Sequence, residues 1–290
     1  MASPRIRILA LDVDGTLLDP DGRLRQRTAH AVRQAARAGI RPVLCTGRRF
    51  RRARPIAEQL GVETPIVCNS GAIVKDPRDC ATLWRADFHP QLTARLLAIF
   101  AAQGQAAVAF TDRDDHEPDF LVSRFPTGHP CFDDYVSQNR EHAEIGPDWI
   151  VEGCEAEARA AAGPCFHVCA IGTRGEMLAF QRAVHEVLGV DVQTFVQRSP
   201  RYLGTMCELL RHNASKWTAV LHLAALWGVA PEEICAVGDD VNDVPMIRHA
   251  GLGVAMGHAP SDVRDAADLV TGDHDQDGVA MLVEDVLLAG

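Results

Sequence analysis

An apolar run, Ile8-Leu9-Ala10-Leu11, breaks off into Asp12-Val13-Asp14-Gly15-Thr16. A short run without polar alternation is expected to be a strand buried on both faces of a parallel sheet, and ligands bind at the carboxyl edge of such sheets. Asp12 and Asp14 alternate along an extended backbone, so their side chains point one way and Val13 the other. Two like charges held close at a buried edge need a cation or a shared proton. A metal is the simpler candidate, and an ordinary Asp-Gly turn ending a strand is the alternative.

The same pattern recurs along the chain. Residues 24–38 carry Ala and Val at helical spacing with Gly39 just beyond, which marks a helix and its stop. A second apolar strand, 40–45, ends in Thr46-Gly47-Arg48, and a third, 66–68, ends in Asn69-Ser70-Gly71. Strands alternating with helices predict a parallel sheet whose tips share one edge. From residue 86 to about 198 the rhythm changes to an α+β pattern, expected to be a module inserted into the sheet domain. The sheet domain is expected to occupy 1–85 and 199–290, resuming with a strand at 202–210. Ser215 is placed to cap the next helix, with Lys216 in its first turn. A lysine there opposes the helix dipole, so something negative should hold it, such as a bound anion. The strand 234–237 then ends in a second acidic tip, Gly238-Asp239-Asp240-Val241-Asn242-Asp243.

Composition removes several classes. A formal charge of −10 with no clustered Lys/Arg stripe beyond residues 48–54 argues against nucleic-acid and anionic-membrane partners. Nine cysteines stand singly in the chain without a CxxC pair, as small buried residues do in a reducing compartment, so a cytoplasmic location is expected. Cys165, His167 and Cys169 share one face of a predicted strand, but with no second cluster core packing is favoured over zinc. The polar loop 112–117, with Asp112, Asp114 and Asp115, is expected to be a solvated hairpin. No signal peptide and no run long enough to span a bilayer are seen.

One sheet edge is thus expected to collect Asp12, Asp14, Thr16, Thr46, Gly47, Arg48, Asn69, Lys216, Asp239, Asn242 and Asp243. Oxygen ligands without histidine or thiolate suit Mg2+, and a lysine with small hydroxyls and loop amides suits a phosphoryl group. Asp12 to Thr16, Thr46 to Arg48, Lys216 and Gly238 to Asp243 resemble the four motifs of the haloacid dehalogenase (HAD) superfamily. The long insert and the tail 251–259 resemble its Cof-type branch, class IIB. The resemblance implies a Rossmann-like parallel-sheet core with an inserted α+β cap that closes over the site. It also implies that Asp12 is the nucleophile, forming an aspartyl phosphate, and that Asp14 protonates the leaving oxygen and then activates water. On the same resemblance Thr46 and Lys216 hold the phosphoryl oxygens. The metal is bound by Asp12, Asp14 through its carbonyl, and Asp239, with Asp243 in support. Trp217 departs from the small residue usual after the lysine, which puts the surface facing the cap in doubt.

The function this implies is Mg2+-dependent hydrolysis of small phosphomonoesters, with sugar phosphates the leading class, by a monomer or weak homodimer. A sugar phosphomutase, recruiting Arg124, Arg140 or Arg159 for a second phosphate, is the alternative. A receiver-like signalling module is a more distant one, because Asp14 would be a hydrolytic base that a stable phospho-switch does not need.

Overall fold

The computed structural model describes residues 5–112, 117–145, 165–198 and 201–289. Asp114, Asp115 and Arg159 lie outside these residues. Two compact units divide the chain, Met1–Arg85 with Ser215–Gly290, and Ala86–Ala214.

In the first unit a five-stranded sheet, parallel throughout, runs in the order Leu269–Val270, Leu252–Ala255, Ile234–Gly238, Ile8–Leu11, Arg41–Leu44. Ile8 to Leu11 are each 0% exposed, which is why this strand shows no alternation: a strand with neighbours on both edges and cover on both faces has no wet side. Its register pairs Leu11 with Val237 on one side and Leu44 on the other. All three strands therefore end at one level, and whatever follows Leu11, Val237 and Leu44 meets at one edge. The Asp12 amide continues the ladder to the Val237 carbonyl at 3.0 Å.

The helices arise as the pattern predicts, with ends one or two residues inside. Gln26–Arg37 follows the first strand, and Phe50–Leu60 closes on Gly61 at φ 70°. Ile66–Cys68 differs from its expectation. It touches the parallel sheet through one bridge, Cys45 to Val67, and otherwise begins a three-stranded antiparallel sheet with Ile73–Lys75 and Thr82–Arg85.

The larger correction concerns the boundary near residue 199. The strand Thr205–Arg211 does not resume the parallel sheet; it lies between Val192–Gln197 and His167–Gly172, antiparallel to both. The first unit returns only at Ser215. An apolar strand carries no mark of which sheet it joins, whereas the two long antiparallel registers settle it here. The six-stranded sheet of the second unit buries one face, including Val168, Ala170, Cys207 and Leu209, with Leu96, Phe100, Phe180 and Val184. These last come from the helices Pro90–Ala102 and Arg174–Leu188, and Phe100 meets Phe180 edge-on at 4.7 Å.

One turn in the first unit has almost no room. Asn69, Ser70 and Gly71 have φ of 50°, 54° and 96°, and a Cβ on Gly71 would lie 2.0 Å from the Ser215 carbonyl carbon and 2.3 Å from the Lys216 nitrogen. Both the dihedral and the approach demand glycine. Gly71→Ala is expected to lower stability by roughly 2–4 kcal/mol, read as a lower urea midpoint with an unchanged slope.

Candidate active site

The edge is built around Lys216, the first residue of the helix Lys216–Leu226. Ser215 caps this helix, accepting from the Thr218 amide at 3.2 Å, while the Thr218 hydroxyl accepts from the Ser215 amide at 2.9 Å. The lysine opposes the helix dipole as expected, and the negative groups that hold it belong to the chain itself. Its Nζ donates to Asp12 Oδ1 and to Asp243 Oδ1, each at 2.6 Å, with all three side chains buried. Burial pushes the Asp12 carboxyl well above the ordinary carboxylate range, partly offset by the Lys216 ammonium. Asp243 is raised for the same reason. Burial alone would pull Lys216 down, but the charges of Asp12 and Asp243 outweigh it and hold the ammonium above its ordinary value.

Around this triad the loops lock one another. Asp243 Oδ2 accepts the amides of Asp239 and Asp240 at 3.0 and 3.1 Å, folding the acidic tip back on itself. Thr16 Oγ1 donates to Asp239 Oδ1 at 3.0 Å. Gly15, at φ 86°, lets the first loop approach so closely that a Cβ there would lie 2.2 Å from Asp239 Oδ2. Asn242 Nδ2 reaches Ser70 Oγ at 3.3 Å, tying the acidic tip to the turn after Cys68. Within the second tip, Thr46 Oγ1 accepts the Arg48 amide at 3.1 Å, and the Asn69 amide donates to the Arg48 carbonyl at 3.0 Å. Gly47 between them is half-buried.

Arg48 is where geometry adds most to the sequence. Its guanidinium grips the Asp14 carboxylate with Nε and Nη2 at 2.6 and 2.5 Å, so the basic side chain expected to meet phosphate meets an acid of the first loop. Trp217 is a further difference. It packs in the core of the first unit beside Val220 and Ala236, so the departure after the lysine is filled by interior packing. Two residues join the edge beyond those the sequence predicts: Ser70, and His258, whose Nε2 lies 3.7 Å from Asp239 Oδ2 and whose ring stacks on His274 at 4.2 Å. Its signal was present in the chain: His258 follows the end of another parallel strand, Leu252–Ala255.

Asp12, Asp239 and Asp243 present oxygen atoms within 4.8 Å of one another. Three carboxylates beside one ammonium leave two formal negative charges, the complement of a divalent cation. The donor set fits a hard one such as magnesium. Asp243 already uses both oxygens on Lys216 and the loop amides, which leaves Asp12 and Asp239 better placed for direct ligation.

The chain resembles known proteins along nearly its whole length. Residues 9–283 match the family of haloacid dehalogenase-like hydrolases. The phosphatase YwpJ of Bacillus subtilis (strain 168) is 28% identical, over 97% of this chain and 100% of its own length. The pyridoxal phosphate phosphatase YbhA of Escherichia coli (strain K12) is 27% identical, over 96% and 97%. The structure of BT1666 from Bacteroides thetaiotaomicron superposes with a TM-score of 0.78 at 23% identity, covering 98% of this chain and 96% of that one. The chain belongs to the haloacid dehalogenase-like hydrolase family and is an enzyme of its phosphatase group.

Removing the ammonium should steepen the fall of stability with rising pH. In Lys216→Met the charge that lowers the Asp12 and Asp243 carboxyls is gone, so their folded pKa values rise further. A carboxyl with a raised folded pKa favours the fold below its unfolded value, and that contribution is lost as pH climbs through the folded value. The variant is expected to lose about 3–5 kcal/mol at neutral pH, the cost of stranding buried charge. It should recover part of this near pH 4 in urea titrations across the range, and a loss that does not vary with pH would contradict the account.

Proposed function

We propose that this member of the haloacid dehalogenase-like hydrolase family is a Mg2+-dependent phosphatase of small phosphomonoesters, sugar phosphates first among them, working through an aspartyl phosphate. The observation that carries the proposal is the buried bridge from Lys216 to Asp12 and Asp243 beside Asp239. It supports the reading by bringing a buried carboxylate, a fixed cation and hard oxygen donors to one sheet edge.

In this reading Asp12 attacks the phosphorus in line, forming a P–O bond as the bond to the leaving oxygen breaks. Lys216 partly offsets the effect of burial on Asp12 and meets the phosphoryl oxygens, with Thr46 and the loop amides near Gly47 and Asn69 on their other side. Asp12, Asp239 and the Asp14 carbonyl would hold magnesium, which would supply charge neutralisation at the phosphoryl group. Asp14 gives its proton to the departing alkoxide, then takes one from the water that attacks the phosphorus and frees Asp12. Arg48 now has a role in the cycle. Its bidentate hold occupies both Asp14 oxygens, so the pair must loosen for Asp14 to carry the proton. Thr16 steadies Asp239, and Asn242 and Asp243 hold the acidic tip in place.

Asp12→Asn is expected to abolish phosphate release while leaving the fold intact by circular dichroism. Appreciable turnover in the folded variant would remove Asp12 as nucleophile. Asp14→Asn should slow steady-state hydrolysis of sugar phosphates by roughly 10²–10⁴-fold, whereas p-nitrophenyl phosphate, whose leaving group needs no proton, should still give a rapid first-turnover burst of p-nitrophenol before the slowed release of phosphate. Loss of that burst would assign Asp14 another part. Running the sugar-phosphate assays with 31P NMR separates free phosphate from an isomerised sugar phosphate, the product of a mutase.

A further inference from the structure

Among the described residues a second group of metal-ligating side chains lies far from the first in chemistry: His167, Cys169 and Glu208 of the second unit. The sequence lacked a partner cluster for His167 and Cys169, and the sheet supplies one. Cys169 pairs directly with Glu208 across the ladder, and His167 is two residues along on the same strand. All three therefore project from one face of the sheet, opposite the face that carries Val168, Ala170, Cys207 and Leu209. They are 1%, 0% and 3% exposed, and the Phe110 ring stacks on His167 at 4.6 Å, fixing the imidazole plane.

We propose that His167, Cys169 and Glu208 form a binding site for a tetrahedral transition-metal ion of the zinc type, distinct from the oxygen-donor edge of the first unit. His167 Nε2 lies 3.2 Å from Cys169 Sγ and 3.7 Å from Glu208 Oε1. A tetrahedral ion with nitrogen and oxygen at about 2.0–2.1 Å and sulfur at about 2.3 Å spaces its donors roughly 3.3–3.6 Å apart, so small side-chain adjustments bring these atoms to ligating distance. One nitrogen, one sulfur and one oxygen select zinc or cobalt over magnesium. On binding, the Cys169 thiol gives up its proton to solvent and the S–metal bond replaces S–H. Two ligands from one strand and one from its neighbour would pin the middle of the sheet without touching the helices behind it.

Cobalt titration of the chelator-treated full chain tests this in a way the phosphatase reading does not touch. The expected result is a sulfur-to-cobalt charge-transfer band in the near ultraviolet, undiminished by excess magnesium, kept in Cys165→Ser and lost in Cys169→Ser. Zinc should bind there at about one equivalent resistant to magnesium by elemental analysis, and Glu208→Gln should weaken its retention on dialysis at least tenfold. No band in the wild-type chain, or a band that survives Cys169→Ser, overturns the proposal. Should Cys169→Ser fail to fold, Glu208→Gln decides: zinc retention equal to wild type rules the site out. Loss of phosphate release in Asp12→Asn bears only on the first site.

Discussion

One ammonium between two buried carboxylates is the contact on which the first unit depends. Moving ions of this kind out of water costs several kcal/mol each, even after the protein relaxes around them. The sheet edge can hold Asp12 and Asp243 in its interior because Lys216 touches both at 2.6 Å. The three residues come from the first strand's end, a helix start and the acidic tip, so this contact also fastens three separate stretches of chain. Stability and the proposed reactivity are joined here: the charge that would favour Asp12 as a nucleophile is the charge that lets it be buried.

Much of this was legible in the chain because chemistry stood at the ends of apolar runs. Asp12, Thr46, Asn69 and Asp239 each follow a strand, and parallel order brings such ends together whatever their separation in sequence. Even the oddity of Lys216 at a helix start was informative, since it required a negative partner, and Asp12 and Asp243 supply one. What could not be read was pairing. Arg48 was expected at phosphate because it opens a tip, yet its reach to Asp14 depends on side-chain geometry that spacing does not encode. Trp217 looked like a surface feature because it follows a site residue, but one step along a helix turns a side chain by about 100°, here into the core. The strand Thr205–Arg211 could have continued either sheet, and only its registers with Val192–Gln197 and His167–Gly172 decide between them.

That reassigned strand changes how the second unit is understood. It brings Glu208 beside Cys169, and a polar face appears in the middle of a sheet whose opposite face is a continuous apolar core against two helices. Alternation along a strand normally separates wet from dry, but here both sides are buried, and the side that carries imidazole, thiol and carboxylate is the one with chemistry to explain.

The discontinuity of the first unit sets an order of events during synthesis. Ile8–Leu11 needs Ile234–Gly238 as its neighbour, yet more than two hundred residues are translated between them, including the whole second unit. At about 5–20 residues per second the ribosome takes roughly ten to forty seconds over that interval. Throughout it the opening strand has Arg41–Leu44 on one edge and an unpaired apolar ladder on the other. The second unit, continuous in sequence, can fold first and leave the nascent chain with a finished insert and an unfinished host. The earliest residues of this enzyme thus wait longest for their partners, and their exposure in that window is the period in which a chaperone would matter most.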